Sequence, residues 1–199
     1  MSNKVIGINQ RIPLQILEIA LRSYLNGNYD EEYIIEQLQL DFDGENRIRK
    51  ALDITNKIIR NNPIITQVEE EKERILSALK RENDRNLILT ALACTAFPFY
   101  YEVLKEFARF LKVQEVVNTE LIKKTMASRY GSNRSMENGL YCVIPMLIEA
   151  EIIERPKQGI YSKTPAKEYS PTSKKVLESA VEQVGKNGDW ILINGIISG

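Results

Sequence analysis

The sequence predicts a mostly α protein, made of helical bundles with helix-turn-helix elements and a small C-terminal β-hairpin wing. Three observations lead there. Apolar residues recur at three- and four-residue spacing through most of the first 111 positions. Proline, glycine and asparagine pairs punctuate those runs. The stretch from Asn118 to Lys163 then reads as a short helix, a tight turn, a second helix and a hairpin, in that order. Three regions follow: 1–66, helical and helix-turn-helix-like; 67–112, a central apolar helical core; and 113–199, winged-helix-like with a hydrophobic tail.

Residues 14–25 place Leu14, Leu17, Leu21 and Leu25 on one helical face, with Pro13 starting the helix and Asn26-Gly27-Asn28 ending it. Asp30 can cap the next helix, EEYIIEQLQLDF, whose first-turn acids suit the helix dipole. A third helix, residues 45–60, turns Ile48, Leu52, Thr55 and Ile59 inward and carries Arg47, Arg49, Lys50 and Lys57 elsewhere, until Asn61-Asn62-Pro63 closes it. Of these, Arg47, Arg49 and Lys50 are a second candidate DNA contact; the competing reading is a solvated face neutralised by Asp41, Asp43, Glu45 and Asp53.

The interleaved charges of Gln67–Asn83 predict one helix exposed on one side. Its Glu70-Glu71-Lys72 triplet resembles the end of a metal-nuclease site, but no partner Asp stands on a recognisable strand before it. Residues 86–111 are the most apolar: a helix from Asn86 to Ala96, a break at Phe97-Pro98, and a second helix stacking Tyr100, Val103, Leu104, Phe107 and Leu111. Helical spacing makes the aromatics Phe97, Phe99, Tyr100, Tyr101, Phe107 and Phe110 packing residues before a base-stacking platform.

Composition limits the chemistry. With 27 basic and 27 acidic residues the net charge is zero, so a nucleic-acid partner would have to be met by local clustering. Histidine is absent, which removes His-dependent triads, Cys-His dyads and His-ligated zinc together. Cys94 and Cys142 lie in apolar helical runs and are expected to be buried thiols of a reduced protein. No metal and no cofactor is expected. The longest uncharged run, Asn86 to Tyr101, is shorter than the roughly 20 apolar residues of a bilayer span and contains Pro98. The amino-terminal stretch lacks the pattern of a signal peptide, and a cytoplasmic location is expected.

In the stretch from Asn118 to Lys163, Thr119 can cap a helix with Leu121, Ile122, Thr125 and Met126 inward and Lys123, Lys124 and Arg129 outward. Gly131 supplies the left-handed turn residue and Ser132 caps the second helix. That helix offers Asn133, Arg134, Ser135 and Asn138 from its first turns, side chains of the kinds that read base edges. Pro145 should bend or end it near Ile144. Two strands around Pro156-Lys157-Gln158-Gly159 then form the hairpin, with Lys157, Gln158, Tyr161 and Lys163 as candidate contacts. From Arg155 to Lys175 six bases face one acid, Glu168, which makes a positive strip. The competing reading is a winged-helix domain used for protein contacts or packing. A helix started by Ser-Pro-Thr-Ser follows, and the last segment, with Trp190 to Ile193, Ile196 and Ile197, should return as a strand on the body or wing, or bind a partner.

Taken together, the Arg-rich helix NRIRKALDITNKIIRNNP, the proline-aromatic break ALACTAFPFYYEVLKEF and the helix pair GSNRSMENGLYCVIPMLIEAEIIER resemble the BrxA family of BREX phage-resistance systems. The resemblance is diffuse and covers most of the chain. It implies a non-enzymatic accessory protein that binds double-stranded DNA in the cytoplasm, beside a methyltransferase, an ATPase and other defence proteins. Two further readings stand beside it: a protein-protein adaptor in a multi-subunit complex, and a metal-dependent nuclease.

Overall fold

The computed structural model describes residues 5–186 and 188–198. Among them are eleven helices and one three-stranded antiparallel sheet. The chain enters as an extended segment, residues 5–13, whose Ile8 and Ile12 are buried. The first helix, α1 (Leu14–Leu25), starts after Pro13 and buries the leucine face that its periodicity predicts. Asp30 caps α2 (Glu31–Gln39), accepting the Glu32 N–H at 2.9 Å. Next comes α3 (Glu45–Ile58), which buries Ala51, Leu52, Ile54, Thr55 and Ile58. Beyond it Asn62 does more than stop a helix. Its buried amide donates to the Ile58 and Leu92 carbonyls and accepts from Thr95 Oγ1 at 2.7 Å, joining α3 to the core helix.

The single helix expected over 67–83 is instead two, α4 (Ile65–Glu70) and α5 (Lys72–Ala78). Glu71 lies between them with φ −105° and ψ 23°, and its carboxylate is held by Lys175, far along the chain. A tertiary ion pair of this kind leaves no mark in local charge spacing. The core helix α6 (Glu82–Ala96) begins four residues before Asn86. Phe97 takes the extended conformation that precedes proline, and α7 (Pro98–Leu111) restarts on Pro98. Phe97, Phe99, Tyr100, Tyr101 and Phe107 are buried, so these rings do pack, while Phe110 is half-exposed. Cys94 and Cys142 are buried free thiols; burial raises both thiol pKa values, that of Cys142 to about 11.

A strand that the sequence reading lacks, β1 (Val116–Asn118), precedes α8 (Thr119–Tyr130) and α9 (Arg134–Glu149). The hairpin strands β2 (Ile153–Lys157) and β3 (Ile160–Lys163) complete the sheet in the order β1-β3-β2. Both caps stand one residue from their expected positions. Asn118 caps α8 in place of Thr119, and Asn133 caps α9 in place of Ser132. Pro145 neither ends nor divides α9, which runs on to Glu149. The bond it removes would have engaged the carbonyl of Tyr141, four residues back.

Ser170 caps α10 (Pro171–Val184). The start of this helix is also held by the buried Asp84 of α6, which accepts Ser170 N–H at 2.7 Å and Ser173 Oγ at 2.6 Å. Its other carboxylate oxygen lies 3.4 Å from Arg81 Nε. The hydrophobic tail forms a helix, α11 (Asp189–Ile197), and not a strand; Ile193, Ile196 and Ile197 are buried, and Asp189 is tied to α7. One apolar core runs from Ile8 to Ile197 and takes residues from all three sequence regions. No helix among the described residues is long and apolar enough to cross a membrane.

Asp189 makes the tail's attachment pH-dependent. Burial opposes its charge, but hydrogen bonds from Lys105 at 2.9 Å, Tyr101 at 2.7 Å and the Lys186 N–H outweigh it, holding the carboxyl below its usual 3.8. A depressed folded pKa stabilises the fold above the unfolded value and is lost as pH falls through the folded one. Asp189→Asn is expected to lower the melting temperature at neutral pH and to have progressively less effect in acid, as pH falls through the depressed folded pKa. Equal losses at neutral and acid pH would remove this account.

Candidate nucleic-acid interface

The site is built on α8 and α9, joined by a three-residue turn in which Gly131 takes φ 82°, a region where a side chain would be strained. Below them the apolar face of α9 lies against α7. A Cβ on Gly139 would stand 2.7 Å from both Ile6 Cγ2 and Phe99 Cε1, so glycine is what permits this approach. The hairpin rises beside α9, and β3 pairs with β1, so both ends of the helix pair are anchored to one sheet.

The eleven primary candidates divide sharply. Arg134, Ser135 and Asn138 are exposed together on the first turns of α9 and have no side-chain partner among the described residues. Lys124 of α8 and Lys157 and Gln158 at the hairpin turn are exposed as well. The other five are engaged elsewhere. Lys123 lies 3.3 Å from Glu137 and 4.0 Å from Glu120, and the hydrogen bond to Glu137 holds its pKa above the ordinary lysine value. Asn133 accepts the Met136 N–H at 3.0 Å as the cap and donates to the Tyr130 carbonyl at 3.3 Å. Tyr161 is buried edge-on against Phe107, with centroids 5.3 Å apart, and its hydroxyl accepts from Thr119 Oγ1 at 3.4 Å. Lys163 donates to the Gly195 carbonyl at 3.3 Å.

Arg129 is the clearest correction, because it points into the protein. Its guanidinium is ion-paired with Glu102 and stands 2.5 Å from the fully buried Glu106, whose second oxygen is 2.6 Å from Arg109 Nη2. Two guanidinium groups thus meet one buried carboxylate, and the attraction is chiefly Coulombic. Sequence spacing could not reveal this, since the carboxylates belong to another helix. The positive strip is thinner than it reads for the same reason: Lys167 is paired with Glu151 and Lys175 with Glu71. Arg47, Arg49 and Lys50 are exposed on α3, with Arg47 stacked 5.8 Å from the Phe42 ring.

Tyr141 is a further candidate that sequence reading passed over. It is 65% exposed and falls seven positions after Arg134, on the same face of α9, a spacing that was legible. Between α9 and the hairpin it borders a groove of about 400 Å³ floored by Leu140, Ile144, Pro145 and Ile148. That groove also carries Glu120 and Glu137, which repel phosphate, beside Lys123, paired with Glu137, and Arg155. Among the described residues no group of three or more Cys, Asp or Glu is arranged to hold a metal ion. No protein-family model matches the chain, and no curated protein or solved structure does so either.

Proposed function

We propose that this chain is a non-enzymatic, double-stranded DNA-binding accessory protein, with α8 and α9 as the helix-turn-helix and the β2-β3 hairpin as its wing. The observation that carries the reading is the joint exposure of Arg134, Ser135 and Asn138 at the start of α9, with Lys124, Lys157 and Gln158 exposed around them. Arginine, serine and asparagine are suited to base edges, and the two lysines to phosphate. The element order β1-α8-α9-β2-β3 supports the same reading. With Lys123, Arg129 and Lys163 otherwise engaged, few cations remain, which favours weak, backbone-dominated contact. The resemblance to the BrxA family supports a place in a BREX phage-defence system, in the cytoplasm beside a methyltransferase and an ATPase.

Titrating a fluorescent duplex at two salt concentrations tests this directly. Arg134→Ala combined with Lys157→Ala is expected to weaken binding about tenfold or more and, through the loss of the Lys157 phosphate contact, to lower the salt slope by about one. An unchanged slope would reject the site.

An adaptor role is the second reading, and it rests on the apolar groove beside Tyr141. If it holds, Tyr141→Ala should abolish co-purification of protein partners while the duplex titration shows no specific change.

A further inference from the structure

The extended segment 5–11 lies along α9, a relation that nothing in its own sequence announces. Ile8 is buried, and Ile6 lies against Gly139. Between this segment and the first turns of α9 runs a groove of about 430 Å³. Asn9, Ser135 and Asn138 line it as exposed polar side chains, and the capping Asn133 closes one end. Its lining contains no carboxylate, in contrast with the hairpin-side groove, where Glu120 and Glu137 stand. A cation from a third element is also at hand. Lys57 of α3 holds its ammonium 4.5 Å from the Phe97 ring centroid and 3.8 Å from where a Cβ on Gly7 would sit, and Gly7 is itself part of the groove. No carboxylate pairs with Lys57 among the described residues.

We propose that this groove is a phosphate-backbone subsite of the DNA surface, in which Asn9 and Lys57 contact the strand whose bases face Arg134 and Asn138. The proposal rests on the DNA-binding reading and extends it to the N-terminal body. The physical choice is between two flanks of α9. On the hairpin side an approaching phosphate meets Glu120 and Glu137 together with Arg155 and with Lys123, which is already paired to Glu137; on the N-terminal side it meets amides and a hydroxyl, with the Lys57 ammonium, softened only by a ring, next to the groove at Gly7. Amide donors position a backbone without neutralising it, whereas the lysine releases a counter-ion. The two residues therefore leave different signatures.

The same salt titration separates them. Lys57→Met keeps the apolar stem on Phe97; it is expected to weaken binding about fivefold and to lower the salt slope by about one, with Lys57→Arg retaining the slope. Asn9→Ala is expected to weaken binding about threefold with the slope unchanged. Arg74→Ala, an exposed charge on α5 away from α9, is the control for net charge. Unchanged melting temperatures confirm that the folds are intact. If Lys57→Met and Asn9→Ala bind as wild type while the Arg134/Lys157 variant fails, the subsite is overturned and the DNA-binding reading survives. A loss for Arg74→Ala equal to that for Lys57→Met also overturns it. If the wild-type protein shows no salt-dependent binding, both proposals fall together.

Discussion

Deleting residues 189–199 is expected to abolish cooperative folding. The reason is the burial of α11: Ile193, Ile196 and Ile197 are 0%, 3% and 5% exposed. At about 1.5–3 kcal/mol for each fully buried side chain, these three contribute roughly 5–9 kcal/mol. That is comparable to the whole stability of an ordinary domain, about 5–15 kcal/mol. The deletion also strips Asp189 from Tyr101 and Lys105, leaving a hydroxyl and an ammonium on α7 without their shared acceptor. The measurement is a thermal melt followed by circular dichroism. Ile193→Ala provides a graded version, with an expected loss of about 2–5 kcal/mol. A truncated protein that melts cooperatively at the wild-type temperature would show that the tail is not part of the core.

The second large effect is expected from Arg129→Ala, and it is a loss of stability before it is a loss of DNA affinity. Removing the guanidinium leaves Glu106, with no solvent exposure, with Arg109 alone, and leaves Glu102 unpaired. Breaking a fully buried pair costs about 3–5 kcal/mol, but the Arg129 side chain is 29% exposed and Arg109 remains, so about 2 kcal/mol is the better figure. For a chain of this length that corresponds to a fall of about 4–8 °C in melting temperature. The combined variant Arg129→Met with Glu106→Gln should recover part of the loss, because it leaves no isolated charge. If Arg129→Ala melts like wild type yet binds DNA with a lower salt slope, the residue belongs to the interface as its position in the sequence proposed.

The contrast between these two cases explains what was legible in the chain. Helix existence was readable wherever one apolar face recurred: the leucines of α1 and the run on either side of Phe97-Pro98 appear where expected. Cap positions missed by one residue at Asn118 and Asn133 because Thr119 and Ser132 are equally good local capping types. The three residues of β1 are too few to show a period, and what makes them a strand is β3, more than forty positions later. Ile-rich α11 carries no local preference strong enough to choose helix over strand; its contact with α7 decides. Charges were least legible of all. Arg129, Lys167 and Lys175 looked free in sequence because Glu106, Glu151 and Glu71 are supplied by other elements. The exposure of the first turns of α9 was therefore legible, and the number of free cations was overcounted.

The pairing of β1 with β3 has a consequence for the energetics of any ligand that α9 meets. Val116↔Ser162 and Asn118↔Ile160 tie together the two ends of the chain that holds both helices, making that stretch a closed loop. The closure limits how far either helix can move from the sheet, and the amides of β1, β3 and α9 are expected to exchange with solvent in one cooperative opening. The ordering entropy of the surface is settled during folding and not at the moment of association. A partner docking there meets a rigid face and loses little affinity to rearrangement of the protein.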